Sequence, residues 1–492
     1  MRPRTVLLRG SLGAALLPLT ALAGVACAEE EPLPHPREME LPSVEPDRPD
    51  PSEVALELDN GLVAYVIEDR TVPLLTVSAV VGAGTADGPA GAAAALAEAF
   101  RRGPADLGPE RFRTRLREMV GEYRVEAGPE RIELNLDVPE EDGEEALDLL
   151  AAVLQRPDIG PGAVAAARRP PGVASGAAAA LRSATPGEGR AGPENALALF
   201  RAHLFRDHPY GPAHRFGSGA LDGASVRAFH RTRVVPGNVV LGVAGALDGT
   251  RTGARLESRF GDWEARPPPE RESPPALPDS DERAVHLHPS PALQGWVVIG
   301  HELPPVSRED RAAVEVMNYI LGGGHFDTRL FVETRDRRGL TNTTRAFPEW
   351  ESEGPGTYTF RTSGRPETVK LLVEIVFGEI ERIRTDLVTE EELFVARGAL
   401  ADGVFAERYM DGWAAARSLA RERLVDGGNQ GSASYRDRIR SVTAEEVRAA
   451  ARTYLHPDRM TVVIVGPIDE IREAPQLEDE RPLGEWGRLV MH

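Results

Sequence analysis

Residues able to do chemistry are few in this chain, and the first cluster is defined by what flanks it. Glu98 lies within Gly91–Gly103, an alanine-rich run of helical character, with Ala95 and Ala99 on either side. In a helix these two positions are one turn apart on the same face. Neither methyl group offers Glu98 a partner, and a carboxylate paired or solvated on a helix is the expected state. His286-Leu287-His288 puts two imidazoles on one face of a strand, which makes them a candidate ligand pair. No third ligand is identifiable beside them, and exposed or packed histidines are expected instead. His208 and His325 fall in turns and read as structural or rim residues. Gly322-Gly323-Gly324 closes a helical pattern from Arg311 to Leu321, so it reads as a stop rather than a phosphate loop. Neither a G-x-S-x-G elbow nor a cysteine nucleophile is available, since Cys27 is the only cysteine.

The surrounding pattern interleaves strands and helices. Val54–Leu58 alternates, Asp59-Asn60-Gly61 is a hairpin turn, and Leu62–Ile67, Leu74–Val81 and Ile132–Val138 read as strands. Ala92–Arg102, Pro109–Met119 and Glu144–Leu154 read as helices. Val226-Arg227-Ala228, Arg231-Thr232, Pro236, Gly245 and Asp248 recur as Val447-Arg448-Ala449, Arg452-Thr453, Pro457, Gly466 and Asp469, at one offset of 457 − 236 = 221 residues. Two homologous domains in tandem follow from that repeat. The fold class expected is α+β, with two α/β-sandwich domains at residues 53–264 and 281–470, a proline-rich linker at 265–280 and a tail at 471–492.

With 492 residues and 41% hydrophobic content the chain can build both cores, and a net charge of −20 argues against a nucleic-acid partner. Arg2, Arg4 and Arg9 followed by the apolar run Leu16–Val25 read as an export signal over residues 1–28. Ala26-Cys27-Ala28 suits ordinary signal peptidase, leaving a chain that begins at Glu29; Cys27 is equally a lipidation candidate, although Gly24 departs from the usual lipobox. Either way the protein is expected outside the cytoplasm, in the periplasm or lipid-anchored at a membrane. Residues 29–52, rich in proline and acid, read as an extended tether or a tail without a role.

Several motifs together resemble the pitrilysin/insulinase family of zinc peptidases, in its bacterial form of one half-clamshell per chain. They are Leu58-Asp59-Asn60-Gly61-Leu62, Gly82-Ala83-Gly84-Thr85 with Gly91–Gly103, His208-Pro209-Tyr210-Gly211, Pro236-Gly237-Asn238, and Leu321–Gly324 with Arg329-Leu330-Phe331. The resemblance implies that Ala95 and Ala99 stand where an H-x-x-E-H helix carries its zinc histidines, and that Glu98 matches the general base. The family's third ligand, a glutamate, should fall near Arg168–Arg182, and that stretch holds no carboxylate. The resemblance also implies a substrate-holding arginine and tyrosine seven residues apart; Arg335 matches the first, and Asn342 stands in place of the second. The alternative for Arg335 is a surface arginine beside Arg337 and Arg338.

The chain is therefore expected to be a catalytically inactive homologue with no cofactor of its own, zinc being expected only in an active partner subunit. It would enclose an extended peptide substrate and complement that partner in proteolysis. Two other readings stand beside this one: an active metallopeptidase with a non-standard metal site, and a stand-alone periplasmic peptide-binding or scaffold protein.

Overall fold

The computed structural model describes residues 48–167, 192–206, 208–216, 221–246, 248–267, 269–277, 283–425 and 434–492. The export signal, Cys27 and most of the tether lie outside these residues, as does Arg168–Arg182. Twelve strands form two six-stranded mixed sheets among the described residues. The first contains β1 (Ala55–Glu57), β2 (Val63–Glu68), β3 (Leu74–Val81), β4 (Glu122–Ala127), β5 (Ile132–Pro139) and β6 (Val239–Gly245). The second contains β7 (Ala284–Pro289), β8 (Gly295–Leu303), β9 (Thr344–Glu349), β10 (Gly356–Gly364), β11 (Thr461–Gly466) and β12 (Arg488–Met491).

Their orders, β1-β2-β6-β3-β5-β4 and β12-β7-β11-β8-β10-β9, share a five-strand arrangement, β2-β6-β3-β5-β4 recurring as β7-β11-β8-β10-β9, and differ in the sixth strand: β1 runs antiparallel to β2, β12 parallel to β7. The helix Gly223–Arg233, the turn Pro236–Asn238 and β2 recur at the sequence offset as Ala444–Tyr454, Pro457–Arg459 and β7. Even a backbone detail repeats. The amide of Asp69 donates to Gly245 O and that of Ser290 to Gly466 O, both at 2.8 Å. Glycine is required at each because a Cβ would lie 2.2 Å from Leu74 O in the first sheet and 2.8 Å from Gln294 O in the second.

Each sheet turns one face to helices of its own half. Val77, Ala79, Leu134 and Leu136 pack beneath Leu96, Phe100 and Leu150 in the first core, and Val285, Leu287, Ile299 and Phe360 lie in the second. A side chain of this size stabilises by about 2 kcal/mol when fully buried. The far faces are covered by exchange. Gly412–Val425, from the second half, lies across β2, β6 and β3, while Pro193–Phe205, from the first, lies across β8 and β11. Phe200 and Leu199 there meet Val298, Val463 and Val465.

Three sequence expectations change. Pro51 and Ser52, expected in the tether, begin a helical turn to Val54, capped by Asp50, whose carboxylate accepts from Ser52 N at 2.8 Å. The helix expected over Arg311–Leu321 ends at Asn318 and widens into a π-turn over Tyr319–Gly323. Residues 471–492 are not a loose tail: β12 pairs in parallel with β7, and Trp486 stacks on Phe377 with ring centroids 4.2 Å apart. Among the described residues no helix is long and apolar enough to cross a membrane.

Candidate functional site

The helix Ala92–Arg102 ends at Gly103, whose φ of +90° and a Cβ position 2.3 Å from Phe112 Cγ leave room for glycine only. Ala95 and Ala99 are both 0% exposed, turned into packed protein. Glu98 is partly exposed and pairs with Arg101 one turn on, Nη1 to Oε2 3.2 Å. Arg101 also donates to Val125 O at 2.5 Å, and Tyr123 Oη donates to Phe100 O at 3.1 Å, so the helix is tied to β4 at the sheet edge. Two buried methyls and one ion-paired carboxylate do not fit a zinc ion at this helix.

Arg335 and Asn342 are both exposed. The Arg335 guanidinium lies over Phe331 and Phe326, 4.9 and 5.5 Å from the ring centroids, a cation–π arrangement that accounts for its position without a ligand. Among the described residues neither Arg335 nor Asn342 is hydrogen-bonded to the other or to Glu98.

A cavity of about 500 Å³ opens between the two halves, lined by Arg201, Tyr210, Arg215, Glu349 and Glu351 among others. At this seam Glu130, 3% exposed, accepts from Tyr210 Oη (2.6 Å) and from the amides of Ser352, Glu353 and Gly354 (2.7, 2.8 and 3.1 Å). Burial pushes its carboxyl up, but the Tyr210 hydroxyl, those amides and Arg271 outweigh it and the net direction is down. Glu351 goes the other way, raised to about 7 by burial and then by the charge of Glu130. His208 of the His-Pro-Tyr-Gly turn donates from Nε2 to Pro275 O at 2.7 Å and accepts the Tyr210 amide at Nδ1, so it pins the linker.

His286 and His288 acquire partners that local reading does not reveal. His203 Nε2 lies 3.0 Å from His288 Nε2, and His286 Nδ1 lies 2.9 Å from His492 Nε2. His203 and His286 stack with centroids 3.7 Å apart, as do His288 and His492 at 4.2 Å. Burial, then the neighbouring rings, lower His203 to about 2, His288 to about 3 and His286 to about 4. No signal in the sequence joins His203, inside a helical pattern, to His492 on the segment read as a tail.

Residues 220–400 match the family model described as the peptidase M16 inactive domain. Over 296 residues, 58% of this chain, the sequence is 30% identical to uncharacterised zinc proteases of Mycobacterium bovis and Mycobacterium tuberculosis, of whose length it spans 65%, just under two thirds. It is 27% identical over 268 residues to one from Streptomyces coelicolor, covering 53% of this chain and 56% of that relative. The fold matches a crystal structure of a peptidase M16 inactive domain from Pseudomonas fluorescens with a TM-score of 0.69 and 21% identity, over 84% of this chain and 98% of that one. A protease from Helicobacter pylori matches with the same TM-score and 17% identity, over 84% and 99%. Over residues 220–400 the chain is similar to the peptidase M16 inactive domain, and its fold is that of the solved M16 inactive domain.

Proposed function

We propose that this protein is a non-catalytic M16 subunit that encloses an extended peptide and complements a zinc-bearing partner of the same family. The observation that carries the reading is the complete burial of Ala95 and Ala99 on the helix where the resemblance calls for metal ligands. Glu98 adds no chemistry by itself, because its carboxylate is paired with Arg101 and the adjacent Ala95 and Ala99 offer no ligand to hold a metal. The edge strand β4 beside that helix, with Glu122, Arg124 and Glu126 exposed and Val125 and Ala127 buried, offers a backbone edge of the kind that accepts an extended peptide as an added strand. Such a surface positions a scissile bond for a partner's zinc without touching the chemistry. The protein is proposed to be exported, to hold no zinc at the Glu98 helix, and to use Arg335 and Asn342 as rim contacts for peptide.

The test is turnover of unfolded peptides by the purified chain, by an M16 relative from the same source with an intact H-x-x-E-H helix, and by the two mixed. The single chain should give no hydrolysis above background, and the mixture should exceed or redirect the partner's own activity. Chelator-sensitive turnover by the single chain that disappears in Glu98→Gln would overturn the proposal.

A further inference from the structure

The four histidines lie on three elements brought together only by the fold: Pro193–Phe205 (His203), β7 (His286, His288) and the end of β12 (His492). One ring nitrogen from each of His203, His288 and His492 lies within 4.8 Å of the other two. Tetrahedral coordination with bonds of about 2.05 Å separates donors by roughly 3.3 Å. The 3.0 Å between His203 and His288 therefore needs to open by only a few tenths of an ångström, and His492 to swing inward.

This arrangement is a poor way to fill space. His203, His286 and His288 are half-buried and His492 is exposed, and pairs of rings can share only one proton per contact. Among the described residues none of the four rings bonds to a carboxylate, and their nitrogens face one another. The charged side chains that act on them are Arg206 and Arg488, both cationic. A neutral imidazole, with one ring nitrogen unprotonated, is the form that ligates a metal. A set of nitrogen donors without oxygen selects zinc, copper or nickel over magnesium or calcium.

We propose that His203, His288 and His492 bind one divalent transition-metal ion of the zinc class, with His286 stacked on His203 beside the site. The site is remote in sequence from the Glu98 helix and independent of the proposed function, since an ion here would join β12 to Pro193–Phe205 whether or not the chain meets a peptide.

The experiment uses the full chain prepared without a histidine tag, stripped with chelator, and titrated with Zn²⁺ by equilibrium dialysis and with Co²⁺ by visible absorption. The expected result is one Zn²⁺ per chain, a Co²⁺ spectrum of tetrahedral nitrogen type, and no response to Mg²⁺. His203→Gln and His288→Leu should each weaken Zn²⁺ by at least about 10-fold. The leucine variant keeps the face packed, and unchanged circular dichroism in it excludes misfolding as the cause. Retention of less than one ion per chain, wild-type affinity in the His203→Gln/His288→Leu double variant, or loss of the ion in Glu98→Gln would each overturn the site.

Discussion

On β2, Tyr65 and Ile67 face the helix Gly412–Val425; on β7, His286 and His288 hold the same register and face the end of Pro193–Phe205. Tyr65 pairs with Gly242 of β6, and His286 with Val463 of β11, the residue one repeat later. The first face is closed with carbon, Tyr65 at 2% exposure and Ile67 at 9% within a continuous core. The second is closed with imidazoles that satisfy one another. Packing alone does not require the second solution, because the first half shows that tyrosine and isoleucine suit the same backbone. The difference teaches that the repeat keeps a scaffold while its two far faces diverge: both join the halves, one with carbon alone and the other also with gathered nitrogen donors.

The largest expected effect breaks the carbon face. Tyr65→Ala removes a buried aromatic ring and should lower unfolding free energy by about 4 kcal/mol, read by urea denaturation. A loss under about 1 kcal/mol would mean that the face is not tightly packed and that the contrast with β7 is weaker than drawn. Next is the helix that carries Ala95 and Ala99, where the resemblance calls for ligands. Ala95→His/Ala99→His inserts two rings into fully occupied space, and should cost about 2 kcal/mol or more by overpacking. Zinc affinity should not return, as measured by dialysis of the double variant in a His288→Leu background. Tight zinc binding there would show that the helix can still present ligands and that the degeneration is shallow.

Much of the scaffold is legible in the residues. β3 spans Leu74–Val81 and the alanine helix spans Ala92–Arg102, the limits that the apolar run and the flanking glycines predict. The repeat is legible because proline, glycine and aspartate recur at fixed backbone roles. β4 is not, since Glu122, Arg124 and Glu126 make it as polar as a loop, and its strand character comes from pairing with β5. Nor is β12, four residues whose pairing with β7 is a tertiary contact. The absence of ligands at Ala95 and Ala99 can be read directly from residue types, whereas the histidine cluster depends on distances between elements that no local pattern encodes. Arg335 shows the reverse failure: motif position suggests a substrate contact, and the folded chain seats its guanidinium on Phe326 and Phe331.

The two halves also place a carboxylate at one repeated position and treat it differently. Glu130 and Glu351 are one repeat apart, the first in the turn after β4 and the second in the loop after β9, and they meet at the seam. Glu130 takes Tyr210 and three amides, while Glu351 Oε2 is buried without a hydrogen bond and has Arg131 Nη1 no nearer than 3.9 Å. Burial and the Glu130 charge hold the Glu351 carboxyl at about 7, above its value in an unfolded chain near 4.5. The unfolded state therefore releases this proton first as pH rises, so Glu351 draws stability out of the native state progressively between about pH 4.5 and pH 7, and the loss is complete above that window. Glu351→Gln keeps the shape and removes the charge. It should raise stability on the order of 1 kcal/mol at pH 8 and converge with the parent by pH 4.5, measured as paired thermal melts across that range. Glu130→Gln should act in the opposite sense, destabilising at pH 8, because the charge that it removes is the one that Tyr210 and the amides hold in place. Equal responses from the two variants would show that the seam treats its carboxylates alike, and that the asymmetry between the halves ends at β2 and β7.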